Sequence, residues 1–65
     1  MTAAKRNELD FVVGMIDMRA GSHVEFEVMT DSGPSKRLAF DYTTGKEIIE
    51  SWGDRILSYT FVEKQ

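Results

Sequence analysis

The 65-residue sequence contains no cysteine, one proline and one histidine. Without cysteine there is no disulfide and no thiolate metal site, and one histidine cannot form an imidazole cluster. We therefore expect no metal and no cofactor. A chain this short lies near the lower size limit for a core that is stable alone, and such domains usually rely on disulfides, metals or association. Association, with a second copy or with another protein, is the reinforcement that remains.

The sequence also lacks a basic excess and a long apolar run. Eleven acidic residues oppose eight basic ones, giving a formal net charge of −3. Proteins that hold nucleic acids by their phosphates usually carry a basic balance, so nucleic-acid binding ranks last among the functions considered. No apolar stretch approaches the ~20 residues that span a bilayer, and the first residues lack the apolar segment of a signal peptide. We therefore expect a cytoplasmic protein without membrane contact.

Strand patterns dominate the chain. Residues 1–7 are small, polar and basic and predict a flexible tail, and residues 8–65 predict a single small domain. Alternating or β-branched residues predict four strands, at 9–18, 23–30, 36–42 and 55–63. In the third strand, the alternation places Leu38, Phe40 and Tyr42 toward the core.

A short helix precedes the last strand. Thr44 and Glu47 fit a capping box at its start, and Gly53 suits its end. The order is therefore β-β-β-α-β, an antiparallel three-stranded meander followed by one helix and a fourth strand. A crossover through the helix places the fourth strand parallel to the first, in sheet order 3-2-1-4. One short helix covers one face of a sheet, which predicts a two-layer α+β fold.

The predicted first strand is apolar on both faces, because Leu9, Phe11, Val13 and Met15 alternate with Val12, Ile16 and Met18. Only one set can meet the helix, so the other lies on an uncovered sheet face. An apolar strip with a charged edge is typical of a partner surface. The predicted partner-binding residues are Val12, Ile16, Met18 and Met29, with Glu25, Glu27 and Arg37 at the rim.

These residues predict a non-enzymatic protein-binding module, an inhibitor or adaptor that forms a homodimer or occupies the surface of another protein. The alternative is an oligomer that binds a small ligand or nucleotide through the amides of residues 45–47 with Lys46, Arg19 and His23. His23 beside Ser22 could be drawn into a hydrolase triad, but so small a domain has little room for the pocket that catalysis requires. We predict no catalytic residue and no enzymatic activity.

In its size, acidity and lack of cysteine, the chain resembles many small phage-encoded proteins that block a host enzyme or a defence complex. The resemblance rests on composition and on no motif.

Overall fold

A computed structural model describes residues 1–64. The elements in chain order are helix α1 (Ala3–Ile16), strands β1 (His23–Thr30) and β2 (Gly33–Ala39), helix α2 (Tyr42–Trp52), a 3-10 turn (Gly53–Arg55) and strand β3 (Ile56–Val62). The strands form an antiparallel sheet of order β2-β1-β3, and both helices pack on one of its faces. The predicted two-layer α+β class is confirmed.

The first predicted strand is wrong, because residues 9–16 belong to α1. The buried residues Leu9, Val12, Val13 and Ile16 have the i, i+3, i+4, i+7 spacing of one helix face. Helix formers precede them, and the hydroxyl of Thr2 accepts a hydrogen bond from the Lys5 N–H at 3.2 Å, which caps the helix. The tail predicted at residues 1–7 is therefore helical from Ala3 onward.

The sheet differs from the predicted order for the same reason. With the first segment helical, three strands remain in the described chain, and β1 takes the central position. β3 pairs with β1 in the antiparallel direction, with Phe26 opposite Tyr59. The predicted parallel pairing of the last strand with the first is wrong. Instead, α2 connects two edge strands that run in the same direction on either side of β1.

A two-residue turn fixes the register of the β1–β2 hairpin. Thr30 pairs with Gly33, so Val24 lies opposite Ala39 and the odd-numbered side chains of β2 share the helix-facing side. Leu38, which was predicted to point inward, is therefore exposed. Phe40 and Tyr42, also predicted to point inward, lie beyond β2 and are exposed as well. The turn is shorter than the sequence indicated because Pro34 lies within β2, where an edge strand tolerates the missing N–H.

One apolar core joins the sheet to both helices. Phe26 and its two neighbours on the same face of β1, Val24 and Val28, are fully buried. The helices run antiparallel, since Asp17 of the loop after α1 accepts a hydrogen bond from the Tyr42 N–H at the start of α2. Their contact is closest at Gly45, where an added Cβ would lie 2.6 Å from a methyl carbon of Val13.

Helix α2 begins three residues before the predicted start, because Asp41 and not Thr44 is its N-cap. The Asp41 carboxylate accepts a hydrogen bond from the Thr44 N–H at 2.7 Å, and this bond lowers the pKa of that carboxyl below its usual value. Gly53 ends the helix, as predicted, with a positive φ of 46°.

The N-terminal turns of α1 are fixed against the end of the chain. The Lys5 ammonium donates to the Ile56 carbonyl at 3.0 Å, and the Tyr59 hydroxyl donates to the Glu8 carboxylate at 2.9 Å. The second bond holds the pKa of Tyr59 above its usual value, because ionised Tyr59 would face a carboxylate. The terminal ammonium pairs with Asp54 and lowers the pKa of that carboxyl.

Candidate interaction surfaces

Helix α1 carries a second apolar stripe opposite its buried one. Phe11 is 71% exposed and Met18 is 81% exposed, and Met15 lies half-buried between them. These residues line a shallow apolar depression of about 350 Å³, together with Gly14 and Arg19. We refer to these five residues as the α1 outer face; Met18 and Arg19 belong to the turn that directly follows the helix. Large apolar side chains clustered on an exposed helix face are characteristic of interaction surfaces.

Gly14 at the centre of this face has no structural role within the chain. A Cβ added there would meet no atom within 4 Å. Glycine inside a helix costs roughly 0.5–1 kcal/mol relative to alanine because of its backbone freedom. Gly14 therefore lowers the stability of the helix, and no side chain of the protein fills the space beside it. A closely approaching partner would use that space.

The second surface is the face of the sheet turned away from the helices, which we call the bare sheet face. β1 contributes His23, Glu25, Glu27 and Met29 to it, since these alternate with the buried residues of the strand. Glu25 lies 3.5 Å from the ammonium of Lys36 and 3.4 Å from the His23 ring. The middle of this face is thus charged and internally paired.

Apolar side chains lie at the two ends of the bare sheet face. At one end, the His23 ring packs against Phe40 with a centroid separation of 5.0 Å, beside exposed Leu38. At the other end, Met29 lies opposite Pro34. The charged middle separates the two ends, so this face lacks the continuous apolar area that α1 presents.

The seven predicted partner-binding residues do not form one surface. Val12 and Ile16 are buried in the core, because the segment that carries them is helical and turns them toward the sheet. Met18 belongs to the α1 outer face. The other four predicted residues are divided between the two faces of the sheet.

Three of those four, Glu25, Glu27 and Met29, share the bare sheet face as predicted. Arg37 lies on the opposite face, since it pairs with buried Phe26, and its guanidinium lies 5.1 Å from the centroid of the Trp52 ring. The prediction that Arg37 borders the same surface is therefore wrong.

Phe11 and Met15 are the residues of the α1 outer face that the strand interpretation placed in the core. The sequence contained a signal for this face, because Phe11, Met15 and Met18 recur at the helical intervals of four and three residues. An apolar segment that fits both the helical and the strand period does not by itself distinguish a helix from a strand. The capped run of helix formers before Leu9 resolves it in favour of a helix.

The residues of the alternative ligand site each contact a local partner. Lys46 pairs with Asp10 at 2.8 Å, and Arg19 pairs with Glu63 at 3.2 Å. Gly45 lies inside α2, and its N–H donates to the Asp41 carbonyl. The arrangement does not direct these groups toward one ligand.

The basic residues near β3 enclose an aromatic ring. The Arg55 guanidinium lies 5.6 Å from the centroid of Trp52, on which Arg37 also packs. Arg55 in turn pairs with Asp31 at 3.1 Å. These contacts extend the core to the sheet edge and partly neutralise the basic side chains.

Within residues 1–64, no group of three or more carboxylate or imidazole side chains is arranged to hold a metal ion. No helix in this part of the chain is long and apolar enough to cross a membrane. Comparisons of the chain with models of known families, with curated proteins and with solved structures found no match.

Proposed function

We propose that this chain is a non-enzymatic protein-binding module, an inhibitor or adaptor that occupies a partner surface with the α1 outer face. The observation that carries the proposal is the exposure of Phe11 on the side of α1 opposite the core and of Met18 in the turn that follows the helix. Burying such side chains contributes roughly 1.5–3 kcal/mol each. Within the chain these side chains remain exposed, so this burial free energy becomes available only when a partner covers them.

The chemistry of this surface defines the partner it fits. The face is narrow, apolar and helical, with a central gap at Gly14 and a guanidinium at the end from Arg19. A helix of this kind binds in an apolar groove or against another helix. Met15 and Met18 have flexible side chains that adapt to irregular contacts. The expected partner is therefore a protein with an apolar groove or helix surface.

A capture experiment tests the proposal. A tagged double variant, Phe11→Ser with Met18→Ser, is compared with the wild-type chain for recovery of partners from the source cell. The matched control carries Leu38→Ser with Phe40→Ser, which also removes two exposed apolar side chains but lies at one end of the bare sheet face. Circular dichroism and thermal unfolding establish that both variants are folded.

We expect the wild type and the sheet control to retain the same partner and the helix variant to lose it. If two anchors of about 1.5 kcal/mol each are removed, the affinity falls at least a hundredfold. Equal recovery with the helix variant would exclude the α1 outer face as the docking surface. Loss with the sheet control alone would assign the function to the bare sheet face instead.

A further inference from the structure

The two edges of the sheet have different chemistry. β2 carries Pro34, Lys36 and Arg37, and proline and charged residues are the features by which proteins prevent strand addition at an edge. β3, over Ile56–Val62, contains no charge, no proline and no glycine. Both strands are unpaired on their outer side within the described chain, because β1 separates them. β3 is therefore the edge open to another strand.

The sequence of β3 reads as a chemical palindrome about Tyr59. Ser58 and Thr60 flank the centre with hydroxyls, and Leu57 and Phe61 follow with large apolar side chains. Beyond these pairs, β-branched residues and then opposite charges correspond: Ile56 with Val62, Arg55 with Glu63, and Asp54 with Lys64. If two copies paired in antiparallel register, hydroxyl side chains would lie opposite hydroxyl side chains and apolar ones opposite apolar ones. Residues of opposite charge would meet at the two ends of the strand.

We propose that a second copy of this chain pairs with β3 in antiparallel register, with the two Tyr59 residues opposite each other on a two-fold axis. The result is a continuous six-stranded sheet with both helix layers on one side. Directly opposite side chains in such a pair lie about 4.5–5.5 Å apart at Cβ. The chain thereby acquires the association that a cysteine-free domain of this size is expected to need.

The local geometry limits the paired segment to the middle of β3. Val28 pairs with Ile56 while Glu27 pairs with Ser58, so the strand bulges at Leu57. The Lys5 ammonium already satisfies the Ile56 carbonyl at that end. Regular pairing therefore extends over residues 58–60, and the residues beyond meet as side-chain contacts at the two ends of the ladder.

The charges at those ends have partners within their own chain. Arg55 contacts Asp31, and Glu63 contacts Arg19, in each case through side chains that are more than half exposed. Exposed ion pairs of this kind contribute little, so they exchange for partners in a second copy at small cost. Within one chain Arg55 and Glu63 do not pair with each other, which makes a reciprocal exchange of their charges diagnostic.

The charge exchange is measured by sedimentation equilibrium on the full chain. Arg55→Glu and Glu63→Arg should each weaken the dimer by roughly three- to tenfold, since each replaces two attractions by repulsions. The double variant, with both changes, should regain an affinity near that of the wild type. A double variant weaker than either single one would overturn the proposed register. A wild-type chain that stays monomeric at about 1 mM would overturn the dimer.

Cross-linking supplies a readout that does not depend on charge. The chain has no cysteine, so an introduced thiol is the only one present. Ser58→Cys and Thr60→Cys variants, when mixed, should form disulfide-linked dimers faster than either variant alone, because residues 58 and 60 lie directly opposite in this register. Ser32→Cys, in the β1–β2 turn, is the control and should not cross-link. Equal rates for all mixtures would contradict the register.

The dimer uses a different surface from the proposed function, because the apolar residues Phe11 and Met18 are not at the β3 edge; the two surfaces meet at the Arg19–Glu63 ion pair. The Phe11→Ser, Met18→Ser variant should keep the dimer mass while it loses its partner. A fall of that variant to monomer would show that copies associate through α1 and would exclude β3 pairing.

Discussion

The two helices cover the same sheet face but present different surfaces to solvent. α2 buries Ile48 and Ile49 and exposes Glu47 and Glu50, as expected for an amphipathic helix that packs through one face. α1 also buries one stripe, yet its outer side is apolar and includes Phe11. Packing on the sheet requires one apolar stripe per helix. The second apolar stripe, formed by α1 and the turn after it, is not needed for this packing, and the proposed function rests on it.

The largest expected effect separates the two faces of α1. Leu9→Ala should destabilise the fold by about 2–5 kcal/mol, because Leu9 is 1% exposed and its removal leaves a cavity. A chain of this length has roughly 3–10 kcal/mol of stability in total, so this variant is largely unfolded at the low end of that range. Phe11→Ala should change the stability by no more than about 0.5 kcal/mol, since the side chain lies outside the core.

Urea unfolding monitored by circular dichroism measures both changes. If Phe11→Ala proved as damaging as Leu9→Ala, the outer stripe would be part of the folding core and the contrast between the two faces would be wrong.

The second prediction contrasts one glycine in each helix. Gly45→Ala should cost about 1–3 kcal/mol, because its Cβ would lie 2.6 Å from a methyl carbon of Val13 and 2.8 Å from its Cβ. Gly14→Ala should stabilise the fold by roughly 0.4–1 kcal/mol, since the added methyl meets nothing and alanine restricts the unfolded chain. Thermal unfolding of the two variants gives opposite shifts of the midpoint.

Partner binding by the Gly14→Ala variant tests whether Gly14 takes part in the proposed docking surface. If a partner approaches the backbone closely at Gly14, the stabilised variant should bind that partner more weakly than the wild type does. Unchanged partner recovery with Gly14→Ala would remove the glycine from the docking argument.

Much of the fold follows from local sequence patterns. The alternation of His23–Thr30, the helix before Gly53 and the last strand are all found in the structure close to their predicted bounds, because each has a single period that fits one element. Leu9–Met18 fits both periods. Its helical state depends on residues 2–8, whose capping and helix propensity outweigh the β-branched residues that follow.

The candidate surface was less predictable than the fold. A strand and a helix place different residues opposite the core, so one wrong element moved Val12 and Ile16 from the surface to the interior. The sheet face on which Arg37 lies depended on the length of the hairpin turn. A shift of one residue in the strand register moves a side chain to the opposite face. The general expectation that this segment is apolar on two sides holds in helical form, with Phe11 beside the predicted Met18 in place of Val12 and Ile16.

The smallest expected effect concerns the polar start of α2. The pKa of Asp41 is lower in the folded chain than in the unfolded one, because its carboxylate accepts the Thr44 N–H. Since the folded pKa is depressed, the contribution of this cap to stability is present above the unfolded pKa, near the model-compound value of 3.8, and is lost as the pH falls through the folded pKa.

Asp41→Asn separates the cap from its charge. Asparagine also caps helices well, so this variant should be nearly as stable as the wild type at neutral pH and lose less stability on acidification. Asp41→Ala removes the cap and should be less stable than both at neutral pH. Urea midpoints measured from neutral pH to below the unfolded pKa test this order. Identical pH profiles for the wild type and Asp41→Asn would show that another carboxylate, such as Asp54 beside the terminal ammonium, dominates the acid sensitivity.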